Sequence, residues 1–246
     1  LSCALLMLPM LGVYEKASRK IIRDVPEKET VIHLEGLNPV FFSTPPLAFN
    51  ACYEVLLEMY RIASWNIEQA FDQVSGYNPD VADQIAKNEE TVDRMADRLS
   101  NYLVQLSGHI STDKHTEIED QYYTALSEFE RLSDHAMNIV EEASQVHLSK
   151  SAQAELTVLR NLITKIMSVT GEAFKNCNME TAKHIEPLEE VVDDMVNALR
   201  ENHLERLRQR QCSILAGTEF LNLLSDIERI SDVCSNMGVA TIARVR

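Results

Sequence analysis

Glu130 and Asp134 stand four residues apart, and Glu228 and Asp232 repeat the pair 98 residues later. On a helix this spacing sets both carboxylates on one face, a turn apart. The text around them repeats too: LSEFERLSDHAMN begins at Leu126 and LSDIERISDVCSN at Leu224. A second pair recurs upstream, Glu89 and Asp93 in EETVDRM against Glu189 and Asp193 in EEVVDDM, at an offset of 100. Like charges at i,i+4 destabilise an isolated helix by roughly 0.2–0.5 kcal/mol per pair. Where two such stripes converge the repulsion grows, unless a cation sits between them. Carboxylate oxygens are hard ligands that suit Mg, Ca, Mn or Fe. The bland alternative is a solvated acidic face, common in a chain with 38 acidic residues in 246. Recurrence at matched places sets these pairs apart from a lone ExxxD. Glu89, Asp93, Glu130 and Asp134, with Glu189, Asp193, Glu228 and Asp232, are therefore the candidate metal ligands, one set per copy.

Such ligands need stiff elements to hold them. Gly and Pro number only seven each and 45% of the chain is hydrophobic, a composition that favours long helices over sheet. Six helices are predicted, near 46–74, 79–107, 112–148, 150–176, 179–203 and 204–241. The two sets of three correspond: Phe71 in the first helix answers Phe174 in the fourth at an offset of 103. The chain thus contains a duplication, repeat 1 over 46–149 and repeat 2 over 150–246. Three amphipathic helices with short turns bury their apolar stripes most simply as an antiparallel bundle. The expected fold class is all-α, two tandem antiparallel three-helix bundles. On the third helix Leu126, Phe129, Leu132, Ala136, Ile139, Val140 and Ala143 form the core face, with Glu130, Asp134, Asn138 and Glu141 well round from it. On the second helix Ile85, Val92, Met95, Leu99, Leu103 and Leu106 form the core stripe, and Glu89, Asp93 and Asp97 are displaced in the same rotational sense. The two acidic stripes then either face each other or point apart, according to bundle handedness. Trp65, Met59 and Phe71, at core-like spacing on the first helix, are assigned to packing.

Ahead of the bundles the composition changes. Residues 1–24 open with LSCALLMLPMLGVY, which carries no charge, and then turn basic with Lys16, Arg19, Lys20 and Arg23. A spanning helix needs about 20 apolar residues, so the run fits the end of a transmembrane helix begun before Leu1 or, as the plainer alternative, an ordinary apolar helix packed on the globular body. Basic residues flanking such a helix favour the cytoplasmic side. Residues 25–45, interrupted by Pro26, Gly36, Pro39 and Pro45, read as a linker, with Thr44 placed to cap the next helix. The whole chain carries −15, which argues against a nucleic-acid partner, since phosphate backbones are neutralised by Lys and Arg. Five cysteines without a CxxC pair suit a reducing compartment, as small core residues.

LSEFERLSDHAMNIVEEA and LSDIERISDVCSNM resemble the signature of PhoU domains. The resemblance implies tandem three-helix bundles with an E(D)xxxD motif pair in each repeat that binds multinuclear metal clusters, often iron. The motifs fall on the eight carboxylates named above. The second copy departs from the pattern at Val233-Cys234, where the first has His135-Ala136. HLEGLNPVFFSTPPLAFNACYEVL is similar to the segment that joins the membrane part of bacterial sodium–phosphate cotransporters to a C-terminal PhoU-like domain.

The resemblance implies a cytoplasmic regulatory domain of a sodium-dependent phosphate transporter, held at the cell membrane. Its expected partners are the transporter membrane domain, metal ions and, in a homodimer, a second copy. A free-standing PhoU-type phosphate-signalling adaptor is the alternative. A di-iron carboxylate enzyme on a helical bundle is a third reading, but such sites use Glu-x-x-His. None of the seven histidines has an acid three residues before it, and there is no HExxH, P-loop or GxGxxG. The chain is thus expected not to be an enzyme. His135 and His184 are weighed as extra ligands or, more plainly, exposed helix histidines. A fourth reading is a helical scaffold whose acidic faces serve solubility alone.

Overall fold

The computed structural model describes residues 34–144, 148–211 and 214–245, and residues 1–24 with the first part of the expected linker, 25–33, lie outside them. Six long helices carry the described fold: α1 Pro45–Ser75, α2 Pro79–Ser107, α3 Asp113–Ala143, α4 Lys150–Asn176, α5 Ile185–Arg208 and α6 Ile214–Val245. No strand occurs among the described residues. The helix starts follow from local chemistry. Asn78, Thr112 and Ser149 each accept a hydrogen bond from a first-turn backbone N–H, which satisfies donors that a helix leaves orphaned. Pro45 and Pro79 open α1 and α2, where a missing N–H costs nothing. Thr44 occupies the N-cap of α1, yet its side chain makes no cap bond.

The third helix, expected to 148, ends at Ala143, and the expected boundaries differ most around the fifth helix and the start of the sixth. The fifth helix was expected over 179–203. Instead a single turn, Met179–Ala182, precedes a break, and α5 then runs from Ile185 to Arg208. Pro187 explains the break: its ring and missing N–H bar it from a helix interior but are harmless in a first turn. At the far end Arg210 takes a left-handed conformation (φ 57°), and Gln211 N–H bonds back to the Arg206 carbonyl at 2.9 Å. No glycine marks that stop, so α6 starts at Ile214 rather than 204.

α1, α2 and α3 pack on one another, as do α4, α5 and α6. The core faces expected on the second and third helices are all buried. Met59 and Phe71 are buried as well, with Trp65 half-buried. Among the described cysteines Cys52, Cys177 and Cys234 are free thiols. Burial pushes Cys52 and Cys234 up to about 12, which suits packing rather than reactivity. The described part of the linker is not loose: Phe42 packs 4.9 Å from the Tyr102 ring, whose hydroxyl donates to the Asn38 carbonyl at 3.0 Å.

The two bundles join along α3 and α6, and α1 touches α4 beside them. The join is reciprocal. Asn138 of α3 donates to Asp226 of α6 at 3.1 Å, and Asn236 of α6 donates to Glu128 of α3 at 3.2 Å. Positions 128 and 226, like 138 and 236, are equivalent under the 98-residue offset. Such exchange of partners is the mark of an approximate two-fold axis. The flanking ion pairs obey it too, Arg131 with Glu128 and Arg229 with Asp226. His135 breaks it: its Nδ1 lies 2.9 Å from Asp226, and Val233 has no counterpart to offer.

α1 and α4 run antiparallel. Tyr53 of α1 donates to the Phe174 and Lys175 carbonyls, each at 2.8 Å, and Tyr60 donates to that of Met167. The approach is close because position 171 is glycine. A Cβ there would stand 2.6 Å from the Tyr60 ring.

Candidate metal centre

The two acidic stripes of each bundle face each other. In repeat 1 one oxygen each of Glu89 and Asp93 on α2 and Asp134 on α3 lie within 4.8 Å of one another. In repeat 2 Glu189, Asp193 and Asp232 make the matching group on α5 and α6. The cause is local. Positions 89 and 93 sit beside the buried stripe of Ile85, Val92 and Met95, and position 134 sits beside that of Leu132 and Ala136. Burying those stripes against each other brings the flanking carboxylates to the lip of the same groove.

Glu130 and Glu228, the other two expected ligands, stand at the edge of these triplets. Glu130 lies under the field of Asp93, Asp134 and Asp97. Glu228 meets Arg200 of α5, whose guanidinium contacts both its oxygens and also donates to Ser225 and Asn197, each at 3.3 Å. The sites are therefore unequal in charge. Asp97 adds a carboxylate to the first, and its equivalent Asn197 adds none to the second. Asp97 was visible on the acidic stripe. Arg200 was missed, although it follows Asp193 by seven residues and so shares its helix face.

Asn138, read as part of the acidic stripe, turns instead to the α3–α6 join. His135 does the same. His184 stands exposed just before α5 and makes no cap bond.

The electrostatics are those of unneutralised carboxylates. Partial burial first, and then Asp93, raise Asp134 above the usual carboxylate range. Burial followed by Asp93 and Asp134 raises Glu89, and burial followed by Asp193 and Asp232 raises Glu189. For Asp193 burial leads, then Glu228 and Asp232, and Arg200 pulls the other way. One oxygen of Asp193 is shielded from solvent and has no hydrogen-bond partner. A hard cation would satisfy that oxygen and relieve the crowding, so the residues present fit the ions that the motif implies.

An all-α, two-repeat protein with a carboxylate triplet on the same groove of each bundle is what fold and site define. The model of the PhoU domain matches residues 56–143 and again 156–241, one match per bundle, and the chain belongs to that family. It is 20% identical over 191 residues to the phosphate-specific transport system accessory protein PhoU homolog of Clostridium acetobutylicum, covering 76% of this chain and 87% of that one. It is also 20% identical over 189 residues to PhoU homolog 1 of Thermotoga maritima, covering 73% and 79%. The fold superposes on PhoU from Pseudomonas aeruginosa with a TM-score of 0.76 at 16% identity, over 80% of this chain and 96% of that one. On the phosphate transport system regulatory protein PhoU from Streptococcus pneumoniae the TM-score is 0.74 at 16% identity, over 82% and 97%.

Proposed function

We propose that this chain regulates phosphate uptake as a PhoU-type protein that holds metal ions in its two carboxylate grooves. The names of its relatives, both accessory proteins of phosphate-specific transport, support the phosphate part. The matched triplets carry the metal part. Glu89, Asp93 and Asp134 would hold metal in repeat 1, with Glu130 and Asp97 beside them. Glu189, Asp193 and Asp232 would hold it in repeat 2. Bound metal would supply positive charge that links α2 to α3 and α5 to α6. The role is that of a regulatory adaptor and not of an enzyme.

The finer reading is a cytoplasmic domain of a sodium-dependent phosphate transporter at the cell membrane. The apolar and then basic run of residues 1–24, together with the Pro-rich stretch after it, supports this. No helix among the described residues is long and apolar enough to cross a membrane. The free-standing adaptor is favoured by one specific observation: the curated relatives align over 87% and 79% of their own lengths. The codons upstream of Leu1 decide between the two. A run of transmembrane segments supports the transporter domain, and a start codon directly before Leu1 supports the adaptor.

The metal reading is tested by changing Asp93, Asp134, Asp193 and Asp232 together to Ala. Circular dichroism should stay helical while elemental analysis of the purified protein loses its metal. Metal content equal to that of the parent would overturn it. The regulatory reading is tested in the host by deleting residues 46–246, which should leave phosphate uptake blind to phosphate supply. Uptake that still responds would count against it.

A further inference from the structure

A groove of about 640 Å³ lies between α1 and α4 and shares no residue with either carboxylate triplet. We infer that it is the docking site of a partner's amphipathic helix, one with an apolar ridge flanked by Lys and Arg.

The shape comes first. The groove's α1 wall extends from Glu54 to Phe71. At 1.5 Å per residue that is roughly 25 Å, the length of about 17 helical residues. A long trough between two antiparallel helices accepts a third helix as ridge into groove, whereas a small molecule would fill only part of it. The trough is also held in shape. Tyr53 and Tyr60 bond to α4 carbonyls, Tyr60 packs against Gly171, and Arg160 bridges to Asp72 at 2.7 Å near one end. A preformed site loses little ordering entropy on binding.

The chemistry comes second. The walls are apolar where Leu57, Phe71, Ile163 and Met167 line them. Four glutamates stand along the edges, Glu54, Glu58, Glu68 and Glu172, against two cations, Arg61 and Lys175. Arg61 is engaged by Glu58, with contacts at 2.6 and 2.7 Å. The net edge charge is negative, so the complementary ridge is basic. The same charge disfavours the other occupants. A second copy would bring one acidic rim against another on a chain of charge −15, and an anionic membrane would be repelled. The inference does not rest on metal binding.

The test uses the full chain and a labelled 18-residue Leu/Lys peptide with a single leucine ridge, followed by fluorescence anisotropy at physiological salt. Ser168, exposed on the groove wall, is changed to Trp to fill the trough, with Thr164→Trp as a second plug. Both plugs should weaken binding at least tenfold with helicity unchanged, and Glu54→Lys with Glu172→Lys should do the same. Glu117→Gln with Asp120→Asn, exposed acids away from the groove and from both triplets, should leave affinity within twofold. Binding that survives both plugs, or that falls equally with the Glu117 and Asp120 changes, would reduce the effect to general acidity and overturn the proposal. A dimer seen by analytical ultracentrifugation and abolished by either plug would give the groove to a second copy and overturn the choice of occupant.

Discussion

At the scale of single residues, the carboxylate triplets make stability depend on pH in an unusual direction. An acid whose folded pKa is raised binds its proton more readily in the folded chain than in the unfolded one. Its contribution to stability is therefore fully present below the ordinary carboxylate value and is lost as pH rises through the folded value. Glu89, Asp134, Glu189 and Asp232 are all raised, so at neutral pH the metal-free protein carries this repulsion in full. Asp134→Asn should therefore raise the thermal midpoint of metal-free protein at pH 7 and shrink the gain that the parent shows on acidification, as read by calorimetry at both pH values. Arg200 offers a second prediction. Its pair with Glu228 is half-exposed, worth about 0.2–1 kcal/mol at such sites. Arg200→Ala should tighten divalent-metal binding at the second site by about threefold, measured by titration calorimetry, with the first site unchanged. The paired acids were legible from spacing and recurrence alone. Whether their stripes face was not, because that depends on bundle handedness, a property of packing. The tie between Glu228 and Arg200 was hidden for the same reason, since it joins different helices.

At the scale of elements, the helices that end at Gly76 and Gly108 carry their stops in the sequence. The turn before α6 does not, because Arg210 adopts the backbone conformation usually left to glycine. Pro187 marks the start of α5, as a residue confined to a first turn. Gly171 shows how one small residue sets the spacing of two helices. Gly171→Ala drives a methyl into the Tyr60 ring and should cost about 1–3 kcal/mol in urea denaturation, despite the better helix propensity of alanine. Combining it with Tyr60→Ala should cost less than the sum of the two single changes, because the clash partner is gone.

At the scale of the whole molecule, the 98-residue offset is both an arithmetic and a geometric fact. The repeat announced the duplication, yet the reciprocal join could not be read from it, since Asn138 and Asn236 were equally compatible with the acidic groove. The two halves of the join are not equally protected. Asp226 keeps the half-buried His135 if Asn138 is lost, whereas Glu128 keeps the more exposed Arg131 and already has one buried oxygen without a partner. Asn236→Ala should therefore destabilise more than Asn138→Ala, by about 1 kcal/mol or more, in equilibrium unfolding followed by circular dichroism.

That crossed arrangement has an evolutionary corollary. Each asparagine answers to a carboxylate of the sister copy, so a change at either asparagine removes a hydrogen bond from the other half. The same lock would have closed between two separate ancestral subunits before their genes were fused. The imidazole at 135, set against a valine at 233, is what makes the two otherwise interchangeable sides of the lock distinguishable.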